Sequence, residues 1–102
     1  MSHDITSNTV IVANQQQVTG DLPDGDIVIL SLNGGVYYGL NSVGGHIWKF
    51  IQTPVIVKDI YNLLLNEYDV DAQECYTELI MLLEELAKNG LIQVKEAERL
   101  VS

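Results

Sequence analysis

The segment from Val36 to Trp48 constrains this chain more than any other, because the periodicity of its side chains changes halfway along it. Val36-Tyr37-Tyr38-Gly39-Leu40 carries β-branched and aromatic residues that suit a pleated surface. Asn33-Gly34-Gly35 just before it is a tight hairpin turn needing positive φ, so the apolar run Ile27 to Leu32 returns antiparallel into it. Beyond Leu40, Asn41 or Ser42 can accept a hydrogen bond from the first free amides of a helix, and Val43, Ile47, Trp48 and Ile51 recur at helical spacing. A strand therefore runs through a polar joint straight into a helix.

The rest of the chain is read outward from that joint. Met1 to Thr9 is polar and expected to fray, and Val10 to Ala13 is short, apolar and β-branched enough for a first strand. Asn14 to Thr19 has no periodicity and reads as a loop or a frayed strand continuation, while Asp21 to Asp26 combines Pro, Asp and Gly as a turn requires. Ile27 to Leu32 is then the middle strand of a three-stranded meander, with Val36 to Leu40 at its edge. Three helices follow. The first, Ser42 to about Gln52, stops at Thr53-Pro54, and the second runs from Val55 to about Glu67. The third is capped by Asp71, with Glu74 completing a capping box, and is ended by Gly90 after Lys88 or Asn89. Leu91 to Val94 is a short extended wing, and Lys95 to Ser102 a charged tail. The expected class is α+β, a three-stranded antiparallel sheet followed by a three-helix, winged helix-turn-helix-like unit.

Composition narrows the function classes. At 102 residues the chain is one domain, with its core at about residues 10–94 between polar termini. No apolar run approaches the roughly 18 to 20 residues that cross a bilayer. There is no basic-then-apolar start that would direct secretion, so a cytoplasmic location is expected. The formal charge of −9, from 14 acids against five bases, disfavours nucleic acid and anionic membranes, which are held by clustered Lys and Arg. A peptide or protein partner, including one with basic residues, fits that surface. Cys75 has no partner cysteine, and His3 and His46 lie far apart, so neither a disulfide nor a metal site is expected. Asp21, Asp24 and Asp26 lack calcium-loop spacing, and Gly44-Gly45 lacks the pattern of a phosphate loop. His46 is the sole candidate base in the folded region and has no nucleophile beside it in sequence. No catalytic residues and no cofactor are expected.

The third helix carries two apolar stripes where a surface helix needs one. Cys75, Leu79, Leu82 and Leu86 form the expected seam against the other helices. Tyr76, Ile80, Leu83 and Ala87, about a quarter-turn away, either pack on the sheet or line a groove beside Val36 to Leu40. That strand has none of the Lys, Pro or bulge residues that blunt an edge. The favoured reading is a groove that accepts an added strand, with Trp48 as a core anchor.

These residues resemble a known family. Tyr38 to Trp48, together with the helix ending Leu86-Ala87-Lys88-Asn89-Gly90-Leu91-Ile92, is similar to the PqqD-like peptide-recognition domains of ribosomally made, modified peptides, over about Val10 to Val94. Tyr37-Tyr38 and the Asn41, Gly44, Ile47-Trp48 spacing look most like the free-standing lasso-peptide members. Gly39 and Gly45 stand where the family often carries side chains. The resemblance implies a non-catalytic binder of a precursor's leader peptide, which adds as a strand along Val36, Tyr37, Tyr38 and Gly39. The leader's apolar side chains would then meet Tyr76, Ile80, Leu83 and Ala87. It further implies delivery to a leader-cleaving cysteine peptidase and an ATP-dependent macrolactam synthetase. The alternatives are a winged-helix DNA-binding regulator, against which the charge speaks, and a PqqD-like carrier for another modified-peptide pathway.

Overall fold

The computed structural model describes residues 5–15, 17–32 and 35–95. The elements run β1 (Val10–Ala13), β2 (Gln17–Asp21), β3 (Ile27–Ser31), β4 (Val36–Leu40), α1 (Ser42–Phe50), β5 (Val55–Ile56), α2 (Val57–Glu67), α3 (Ala72–Lys88) and β6 (Ile92–Lys95). The strands make two antiparallel sheets, ordered β2-β3-β4 and β5-β1-β6. The α+β class with one three-stranded meander and three helices is as expected, with Ile27–Ser31 in the middle and Val36–Leu40 at the edge, but the meander's first strand is a different one. Gln17–Asp21, which spans the stretch read as a loop or a frayed strand continuation and the start of the turn, is that first strand, and Val10–Ala13 is the centre of the second sheet.

The physical reason lies in burial. Ile11 and Ala13 are fully packed, so β1 needs neighbours on both sides, and β5 and the wing strand β6 supply them. β2 is almost wholly exposed and is held by its ladder to β3, so it never develops an alternating apolar pattern. At the meander's second turn, Gly35 takes a φ of 65° and donates its amide to the Ser31 carbonyl at 2.8 Å, which sets the register Ser31 to Val36.

The helix ends follow their sequence signals closely. Asn41 Oδ1 accepts from the Gly44 amide at 2.9 Å, and α1 ends at Phe50, two residues short of Gln52, before Pro54. Asp71 Oδ2 accepts from the Glu74 amide at 2.9 Å. Gly90, at a φ of 74°, closes α3 with bonds from its own amide to Ala87 and from Leu91 to Leu86, the paired arrangement a C-terminal glycine makes possible. α2 begins two residues later than expected, because Val55–Ile56 is drawn into the ladder with β1. It has no side-chain cap. The chain just before β1 takes over that role: the amides of Val57 and Lys58 donate to the carbonyls of Thr9 and Ser7, each at 2.9 Å. Ile5 and Thr9 are buried, so the part of Met1 to Thr9 that is described is anchored rather than frayed. Residues 96–102, most of the expected charged tail, lie outside the described residues.

Ile11, Ile27, Ile29, Ile51, Val57, Ile60, Leu83, Leu86 and Leu91 form one continuous core between the sheets and the helices. Trp48 joins it as expected, with Nε1 donating to Thr19 Oγ1 on β2 at 3.2 Å.

Candidate functional site

β4 is an edge. Among the described strands it pairs with β3 alone, so every second residue along its outer side offers an unpaired amide and carbonyl. The period of two fixes its faces. Tyr38 packs partly against the core and Leu40 is buried, whereas Tyr37 is 71% exposed on the opposite face, in register with Leu30 and Val18.

Beside that edge lies a cleft of about 420 Å³ between β4, the first turns of α1 and the N-terminal half of α3. Its floor is apolar: Leu40, Ile47, Leu64 and Leu79 are buried core residues that also face the opening. Leu82, Cys75, Val43 and Val70 form its walls. Gly44 narrows nothing here, since a Cβ at this position would stand 3.3 Å from Leu40 and tighten that side. One end is braced by His46 Nδ1, 3.2 Å from the Tyr68 hydroxyl, with the two rings edge to face at 6.2 Å. The size matches the roughly 300–1,000 Å³ of ordinary ligand clefts.

The expected site residues divide sharply. Val36, Tyr37, Tyr38 and Gly39 all lie on the free edge, and Tyr38 and Gly39 line the cleft. None of the four expected helix residues does. Tyr76 stacks edge to face on Tyr61 of α2 with centroids 5.5 Å apart, Ile80 is packed against the core, Leu83 is inaccessible and Ala87 is buried. Of the stripe assigned to the helix seam, Leu86 is buried as expected, while Cys75, Leu79 and Leu82 line the opening. Both stripes are apolar, so periodicity yields the angle between them but not which one faces inward. The lip residues Val43 and Val70 were not singled out at all as binding residues. Each is an apolar residue left more than a third exposed beside a polar joint, a signal that only burial reveals.

Burial holds Cys75 and Tyr38 in their neutral forms, while Glu74 and Glu78 line the same cleft. Burial, and secondarily the Glu78 carboxylate, push the Cys75 thiol above its ordinary 9.0, so it stays protonated at neutral pH. Burial, helped by Glu85, likewise raises the Tyr38 phenol above 10.0. Among the described residues no group of three His, Cys, Asp or Glu side chains could hold a metal ion, and no helix is long and apolar enough to cross a membrane.

An exposed sheet edge beside a largely apolar cleft is the arrangement to which an extended peptide can add as a strand. The sequence profile of the family described as coenzyme PQQ synthesis protein D (PqqD) matches residues 26–92, and the chain belongs to that family. Among solved structures it is similar to one described as TbiB1 in complex with the TbiA(beta) leader peptide. That likeness has a TM-score of 0.73 at 28% identity, over 80% of this chain and 94% of the other. Another, described as lasso peptide synthetase B1 complexed with the leader peptide, has a TM-score of 0.65 at 19% identity, over 81% of this chain and 96% of the other. At that identity it speaks for the fold alone. No curated protein matches the chain.

Proposed function

We propose that this chain is a non-catalytic recognition element that captures the leader peptide of a ribosomally made precursor in lasso-peptide biosynthesis. The leader adds as an antiparallel strand along the outer edge of β4 and lodges apolar side chains in the cleft between β4 and α3. One observation carries the reading: an unpaired strand edge and an apolar cleft share Tyr38 and Gly39, so one extended segment engages both. The likeness to TbiB1, which is described in complex with a leader peptide, supports it.

The energetics suit reversible capture. Two or three buried apolar anchors contribute roughly 1.5 to 3 kcal/mol each, and a few ladder hydrogen bonds about 0.5 to 1.5 each. Association costs about 4 to 15 kcal/mol. Gain and cost are of similar size, so capture is reversible and the quality of the anchors sets its strength. Specificity comes from the cleft, because a backbone ladder reads no side chains. The captured precursor is then presented to a leader-cleaving cysteine peptidase and an ATP-dependent macrolactam synthetase. A DNA-binding role is disfavoured by α3, whose Glu74, Glu78, Glu84 and Glu85 would face phosphate with Lys88 as its one cation.

The test is fluorescence anisotropy with the precursor encoded nearest to this chain, divided into leader and core segments. The leader alone is expected to bind as tightly as the whole precursor. Binding confined to the core segment would contradict the reading.

A further inference from the structure

Resting on the strand-addition reading, the structure points to a further property of the ligand: we infer that the captured segment carries Lys or Arg beside its apolar anchors, paired with a row of carboxylates on α3. At about 100° per residue, Glu74, Glu78 and Glu85 project within about 40° of one another. They stand next to the apolar row of Cys75 and Leu82. Glu74 and Glu78 line the cleft directly, together with Tyr38 of the edge strand, and Glu85 follows them on the same face of α3. The acidic row and the edge strand thus flank the same opening.

Among the described residues no ion pair reaches that row. Every charged residue from Asp59 to Glu85 is a carboxylate, and among the described residues no Lys or Arg lines the cleft. Lys49 pairs with Asp21 at 3.9 Å, at the end of β2 on the sheet's other edge, and Lys58, Lys88 and Lys95 lie outside the cleft lining. Like charges one turn apart on a helix repel each other. An added strand runs alongside α3, and its alternate residues are spaced about 6.7 Å apart, close to the roughly 6 Å rise between Glu74 and Glu78. Lys and Arg can lay their stems over Leu82 and the exposed Met81 while their charged ends reach the carboxylates. A neutral or acidic segment would gain no such pairing.

A displayed library of random peptides, selected separately on the wild type and on the triple variant Glu74→Gln, Glu78→Gln, Glu85→Gln, tests this. These side chains are exposed, so the variant is expected to keep the fold, which circular dichroism checks before selection. The wild type is expected to enrich peptides with apolar pairs flanked by Lys or Arg, and the variant to enrich apolar pairs without that bias. A wild-type-selected peptide should bind the variant about tenfold more weakly at low salt. The gap should close near 1 M salt, where screening acts within about 3 Å. Apolar peptides enriched with neutral or acidic flanks would overturn the inference and leave strand addition standing. Failure of the wild type to enrich any apolar pair would overturn both.

Discussion

Tyr61 on α2 and Tyr76 on α3 meet edge to face, with ring centroids 5.5 Å apart and planes at 86°, in keeping with the rotation of α3 that buries Leu79, Leu83 and Leu86. With Tyr76 turned to α2, the neighbouring Cys75 and Leu79 must face the opening beside β4, and Leu82 and Leu83 part company. Leu82→Asp is therefore expected to leave the fold intact and weaken leader binding at least tenfold, about 1.4 kcal/mol. Leu83→Ala should cost about 2 to 5 kcal/mol of stability, while the folded fraction binds normally. Urea titration and anisotropy on the two variants separate the effects. The reverse pattern would mean that the other stripe lines the cleft.

Cys75 offers a built-in footprint. Its thiol lines the cleft and is held above 9.0 by burial and by Glu78, so alkylation by iodoacetamide should be slow at neutral pH and accelerate only well into the alkaline range. A bound leader should slow it further. Mass spectrometry of the alkylated fraction against time, with and without leader, gives the answer, and unchanged labelling at saturating leader would place the ligand elsewhere.

The two helical glycines should respond differently to a methyl group. At Gly45 a Cβ would sit 3.0 Å from Ile27 Cγ1 and 3.1 Å from the Gly25 carbonyl, in a turn fixed by a φ of 91°. That backbone oxygen cannot retreat. Gly45→Ala is thus expected to destabilise by about 1 to 2 kcal/mol, despite the helix propensity gained. At Gly44 the nearest atoms belong to side chains at 3.3 Å or more, and Gly44→Ala should change stability by less than about 1 kcal/mol. Thermal unfolding compares them directly.

Tyr38 gives the domain an alkaline signature. Its phenol is raised above 10.0 by burial and then by Glu85, so the unfolded chain loses this proton first. The contribution to stability is complete below pH 10.0 and declines as pH climbs past it toward the folded value. Denaturation midpoints should fall less between about pH 9 and about pH 11 for Tyr38→Phe than for the wild type.

How far the sequence could be read depended on where each signal was stored. Asn41, Asp71 and Gly90 state their roles locally, through a side-chain oxygen or a permissive φ, and the structure repeats them atom for atom. Val36–Leu40 was legible as an edge because its own residues are strand formers and the turn before it is short. Gln17–Asp21 was not, since an exposed strand held by backbone bonds needs no apolar alternation. The anchoring of Ile5 to Thr9 depends on amides of α2 about fifty residues away, a pairing no local pattern encodes. Val36 to Gly39 lie along the free edge, whereas Tyr76, Ile80, Leu83 and Ala87 pack inward and the neighbouring stripe meets the cleft, because two apolar stripes differ only in what they meet.

The most direct measurement is hydrogen exchange on the protein with and without its leader peptide, read residue by residue along both edges of the meander. The account predicts that amides of Val36–Leu40 become protected while those of Gln17–Asp21, the opposite edge of the same sheet, exchange as before. Protection at Gln17–Asp21, or a saturated complex in which β4 exchanges as fast as in the free protein, would contradict it.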